Sequence, residues 1–213
     1  VARPTSVLGL AALFSGIALL ANILLDVSLA AGLLTAGAAL GTGLVVAYLL
    51  ADEVDRRHLV GVARAGFVAG IGSTLVYDVV RAVLGRLDPS PFNPFAAINV
   101  FGSLLVGESA GSAAILGAGL ALHFVNGSCF GLSYAALFGQ DGQRSLSSAA
   151  VTGVSWGLFL ELFQATLYPS WLRITALSEF LLISSLGHVA FGLSLGLMAR
   201  SLLSRWAFDP YRI

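Results

Sequence analysis

From Thr5 to Ala51 the chain carries a single charged residue, Asp26. As one straight helix that stretch would reach about twice the thickness of a bilayer's hydrocarbon core, at roughly 1.5 Å per residue. It must fold back, and Asp26 marks the turn between a first span at Ser6–Leu25 and a second at Ser28–Leu50. Four more apolar runs of spanning length follow: Leu59–Leu84, Ser112–Phe138, Ser147–Tyr168 and Ser178–Leu202. Charged residues make up only 10% of the 213, too few to cover the surface of a soluble domain, and the mean hydropathy is +0.91. The expected fold is therefore all-α: a polytopic integral membrane bundle of six transmembrane helices, with the bilayer as solvent. The first run is longer than the roughly 7–15 apolar residues of a signal peptide and a second span follows at once, so it is read as a retained helix.

The whole chain, 1–213, reads as one membrane domain, with 1–50 an N-terminal helix hairpin. Between the third and fourth spans lies Arg86–Gly111, with prolines at 89, 91 and 94. Its apolar part, Phe95–Gly107, is too short to span and is expected to be interfacial or re-entrant, packed on protein. Arginine placement predicts orientation. With both termini cytoplasmic, that face of the cell membrane holds Arg3, Arg56, Arg57, Arg144, Arg205 and Arg212, with Arg64 and Arg200 near it. The other face holds Arg81, Arg86 and Arg173.

Helices three to six read as a two-by-two internal repeat, 59–138 and 147–204. His123-x3-Gly127-x3-Gly131 matches His188-x3-Gly192-x3-Gly196, and each histidine has a small residue four positions earlier, Gly119 or Ser184. Upstream, Gly70 precedes Asp78 by eight residues as Gly153 precedes Glu161, and Leu87-Asp88-Pro89-Ser90 matches Leu167-Tyr168-Pro169-Ser170. Both Pro-Ser segments are expected to be loops, and Glu108 and Glu179 each fall between the Pro-Ser loop and the histidine helix. An even number of helices per copy makes the copies parallel, related by an axis along the membrane normal.

Residues four apart share a helix face, so Gly119, Gly127, Gly131, Gly192 and Gly196 are expected at close helix contacts, and both histidines point into those contacts rather than at lipid. Asp78 and Glu161 lie within spans, where an ionised carboxylate must be paired, hydrated or protonated. Arg81, three residues after Asp78, is its expected partner; Glu161 has Gln164 at the matching position and no cation. Asp78, His123, Asn126, Glu161, Gln164 and His188 thus form a predicted polar cluster, with His123, His188 and Glu161 at its centre. Imidazoles titrate near physiological pH, so a small channel or transporter for protons, cations or a small solute could use such a cluster. Two other readings use the same residues. His123, His188 and Glu161 are the right types to ligate a divalent transition metal, and the two histidines could be axial ligands of haem b in a redox subunit. In a further alternative the ladders serve only packing, in a non-catalytic accessory subunit of a larger membrane complex or a homo-oligomer. No phosphate-binding glycine loop, Ser/His/Asp set or HExxH pattern is present, which disfavours an enzyme. Eleven basic and eleven acidic residues leave no basic field for nucleic acid, and one cysteine, Cys129, allows no disulfide within the chain.

Overall fold

The computed structural model describes residues 4–90 and 92–207; Arg3, Pro91 and Arg212 lie outside the described residues. The described chain is helical, in eight elements: α1 (Pro4–Ala11), α2 (Phe14–Leu25), α3 (Leu29–Leu50), α4 (Glu53–Leu87), α5 (Ala96–Val106), α6 (Ser112–Gln143), α7 (Leu146–Trp171) and α8 (Leu177–Trp206). Six helical segments among the described residues are long and apolar enough to cross a membrane, α1 and α2 together making the first. This is an all-α membrane bundle with short connections.

Local chemistry sets the helix ends. Asp26 takes the left-handed conformation, φ 55°, and its N–H returns to the Asn22 carbonyl, while the Asn22 side chain donates to the Val27 carbonyl at 2.9 Å. That closes α2 and turns the chain into α3. Ser28, Asp52 and Ser145 accept hydrogen bonds from the third residue beyond them and start α3, α4 and α7. Glu53 and Asp55 in the first turn of α4, with Arg86 in its last, complement the helix dipole. These polar turns carry α4 beyond the apolar run Leu59–Leu84, because hydropathy marks the hydrocarbon and not the helix end.

Two local expectations need correction. The first span is not one continuous helix: a 3₁₀-type bond from Leu13 N–H to the Leu10 carbonyl, 3.2 Å, tightens the chain between α1 and α2. Leu167-Tyr168-Pro169-Ser170 is not a loop either. It forms the last turns of α7: Pro169 lies inside the helix, where it cannot donate an i→i−4 hydrogen bond, and its carbonyl accepts from Ile174 N–H at 2.9 Å.

The four long helices stand in the order α6, α4, α8, α7. Close packing joins α6 to α4, α4 to α8, and α8 to α7. At the first seam Gly66 and Gly70 lie against the backbone of Gly131, and a side chain on Gly127 would overlap the Thr74 hydroxyl. At the last, Gly153 and Gly157 lie against the backbone of Gly192, and Gly196 abuts the Ala149 carbonyl. Between them, Gly187 of α8 admits the ring of Tyr77 and the stem of Arg81. Helices α6 and α7 differ. They join at one end, where the Tyr134 hydroxyl meets Thr152 at 2.8 Å and Ser148 donates to the Asp141 carbonyl at 2.7 Å. There Arg200 of α8 donates to the carbonyls of Gly142 and Gln143, and the Gln143 amide donates back to the Arg200 carbonyl at 2.9 Å. Toward the other end, where α4 gives way to the proline loop, cavities lie between them.

The short helix α5 packs antiparallel on the first turns of α6, with Gly102 on the Ile115 carbonyl and Gly119 on the Ile98 carbonyl. That pairing brings the N-terminus of α5 down beside the middle turns of α6, so the segment dips into the bundle and returns. α3 packs chiefly on α1 and α2 and exposes Leu34, Val45, Val46, Leu49 and Leu50, a face suited to lipid. Along it Gly37 meets Phe14, while Gly41 and Gly43 meet nothing.

Candidate functional site

The polar residues of α4, α6, α7 and α8 gather at the inner end of the cavity in two pairs. His123 of α6 places Nε2 at 3.0 Å from each oxygen of Asp78 on α4. His188 of α8 places Nδ1 at 2.8 Å from Oε2 of Glu161 on α7 and donates to the Ser184 carbonyl at 3.1 Å. A carbonyl can only accept, so Nδ1 of His188 carries a proton and Nε2 remains for the cavity that His188 lines. Glu161, buried, also accepts from the hydroxyls of Ser184 at 2.7 Å and Ser185 at 3.2 Å. Gln164 donates to Ser184 at 2.5 Å, so amide, hydroxyl, carboxylate and imidazole form one hydrogen-bonded series.

Tyr77 of α4 links the pairs. Its ring centroid is 4.9 Å from His188, edge-on, and 6.1 Å from His123. Its hydroxyl lies near the Gln164 side chain, beside the series behind His188. Nothing in the sequence singles this residue out, since a tyrosine in an apolar run looks like ordinary packing. Its one available signal was its place directly before Asp78. Asn126, one turn from His123, is buried with Oδ1 unpartnered, and it lines the cavity.

Arg81 does not pair with Asp78 as their spacing suggested. The carboxylate turns across to α6 and meets His123, while Arg81 turns toward the proline loop and donates to the Pro94 carbonyl. Its guanidinium stacks on the rings of Tyr77 and Phe95, 4.7 and 5.3 Å from their centroids.

The cavity above the pairs has a volume of about 410 Å³. Its outer wall comes from the proline loop (Phe92, Asn93, Pro94), the start of α5, and the α7–α8 connection at Arg173 and Ile174. Arg173 holds a left-handed backbone, φ 53°, at this rim. Glu108 and Glu179 stay away from the cluster, in the α5–α6 turn and the first turn of α8.

The metal and haem readings do not fit this geometry. Among the described residues no three histidine, cysteine, aspartate or glutamate side chains come together as a metal-binding set. His123 belongs to Asp78 and His188 to Glu161, so His123, His188 and Glu161 do not form the expected ligand triad. A porphyrin held by both histidines would have to contact both imidazoles, and the side chain in that position is Tyr77. What the site can do is hold protons on two imidazole–carboxylate pairs beside a solvent-sized space. No family model, no curated protein and no solved structure matches the chain.

Proposed function

We propose that this chain is a small membrane transporter that exchanges protons on its two histidine–carboxylate pairs as a solute occupies the cavity between α6 and α7. One observation carries the reading: both imidazoles meet the same tyrosine ring and line the same 410 Å³ cavity, each backed by a carboxylate from the neighbouring helix. A group that titrates near neutral pH and sits at a buried cavity suits proton coupling. The repeat proposed from the sequence, α4 with α6 and α7 with α8, would support the reading further. In each the glycine seam lies on one side of the pair and the imidazole–carboxylate contact farther along, the arrangement of a transporter whose halves rock against each other.

Reconstituted in liposomes with an internal pH-sensitive dye, the protein should move protons when a gradient is imposed with its solute. His123→Gln and His188→Gln should each reduce that flux by about tenfold or more while the protein remains monodisperse in detergent. Undiminished flux in both variants rejects the proposal. Arginine bias further supports termini in the cytoplasm and the cavity mouth outside. In a Cys129→Ser background, a cysteine at Ser90 should react with a membrane-impermeant maleimide in intact cells and one at Gln143 should not. The opposite pattern inverts the topology.

A second reading, an accessory subunit of a larger complex or a homo-oligomer, draws on α3, whose Gly41 and Gly43 face open space. Copurification of other chains from native membranes would favour it.

A further inference from the structure

The charge on the cavity wall differs from the charge of the cluster behind it. Asp78 and Glu161 do not line the cavity; the histidines stand in front of them. The ionisable groups that do line it are His123, His188, Tyr77, Tyr168, Arg81 and Arg173, and no carboxylate is among them. Arg81 is 7% exposed, its Nε has no partner, and it makes no ion pair among the described residues. A buried guanidinium without a counter-charge is costly, and the cost falls when an anion arrives. The N-terminus of α5 lies beside it: Ala96, Ala97 and Ile98 line the same wall. Asn93 takes the Phe95 N–H through Oδ1 and the Ala96 N–H through its carbonyl, and Phe95 accepts from Ile98, which leaves the Ala97 N–H and the partial positive charge of the helix end. A helix start offers N–H groups and partial positive charge to an anion.

A second cavity, about 280 Å³, adjoins the first. Both are lined by Asn126, Phe130, Leu160, Gln164, Tyr168 and His188. The remaining walls of the second are apolar, from Leu13, Ile17 and Leu20 of the first span and Phe159, Phe163 and Leu167 of α7. It occupies the side where α6 and α7 have parted. A cationic chamber therefore continues into an apolar one.

We propose that the joined cavities bind an amphiphilic anion, its carboxylate or phosphate head at Arg81 and the start of α5, and a single apolar chain in the space between the first span and α7. This names the solute class of the proposed transporter and rests on that reading for its role, though not for the binding itself.

The test is equilibrium binding of a fluorescent polyene fatty acid to the purified full chain in a non-ionic detergent. Binding should saturate, and the probe should be displaced by an unlabelled long-chain acid or a monoalkyl phosphate, whichever head the site prefers, but not by the matching long-chain alcohol or by acetate. Arg81→Gln should weaken binding by about tenfold or more, as loss of a buried charged contact does. Arg81→Lys, which keeps the cation, should retain most of it and shows that the position tolerates change. Leu167→Trp, filling the apolar chamber, should weaken the long-chain acid. Displacement by the alcohol as readily as by the acid, or unchanged binding in Arg81→Gln, overturns the proposal. So does unchanged binding in Leu167→Trp, which would leave an anion site without a chain site. Binding that persists alongside absent proton flux would reject the transport reading alone.

Discussion

The Glu161–His188 pair and the Asp78–His123 pair contain the same two chemical groups in different surroundings. Glu161 is nearly sealed, its side chain 6% exposed, and it receives two serine hydroxyls besides the imidazole. Asp78 is 21% exposed on its side chain and has His123 as its hydrogen-bond partner. The first carboxylate accepts from several donors; the second meets one imidazole. A pair supported from many sides holds its arrangement, and a pair with one support can let go of it. In the proposed transporter, His188 and Glu161 would be the fixed reference and Asp78 and His123 the part that exchanges.

Removing the acid is the strongest way to break this comparison. Glu161→Ala leaves two hydroxyls and the Nδ1–H of His188 facing a void and should cost about 3–5 kcal/mol. Asp78→Ala should cost less than half as much, measured as unfolding in detergent by denaturant. Equal losses would show that the extra serine bonds contribute nothing and would erase the distinction. The glycine seams give the next effect. A leucine at Gly192 would run into the backbone of Gly153, which cannot yield, and should cost roughly 3 kcal/mol, at the upper end for overpacking. At Gly127 the first obstacle is the Thr74 hydroxyl, a side chain that can rotate, so the same change should cost nearer about 1 kcal/mol. The smallest effect sharpens the comparison most. Ser185→Ala removes one weak bond to Glu161 and should lower stability by about 0.5–1 kcal/mol, without the loss of flux expected of His188→Gln. A flux loss there would mean that the serine, and not only the imidazole, handles the proton.

How much of this was legible in the sequence follows from how local each signal is. Spans are written in consecutive residues, so all six, and the short Ala96–Val106 helix, could be placed from hydropathy. The turn at Asp26 could be placed because two spans cannot continue as one. Partners across helices were harder. Three-residue spacing pointed Arg81 at Asp78, yet a histidine on α6 lay nearer in space to the carboxylate, and the proline loop and Phe95 offered the arginine a carbonyl and an aromatic ring. Tyr77 had no signature at all, because its role comes from what α6 and α8 bring to it. Pro169 misled because proline usually marks a loop, and here it lies two residues before the end of α7. The parting of α6 from α7 is a property of the whole bundle and of no segment in it.

That parting has a mechanical side. The hairpin of α6 and α7 is fastened at one end only, where Arg200 grips the last carbonyls of α6 and Tyr134 meets Thr152. Beyond that fastening the two helices run on like the arms of a pair of tweezers, each about 30 Å long by helical rise. A swing of about 5° at the fulcrum moves the free tip by roughly 3 Å on an arm of that length. The bonds at the fulcrum need not break for this to happen, since each joins groups that barely move. The leverage is also unequal along the arm: His123 sits nearer the tip than Tyr134 does, so the same swing displaces the Asp78–His123 contact far more than the joint that governs it.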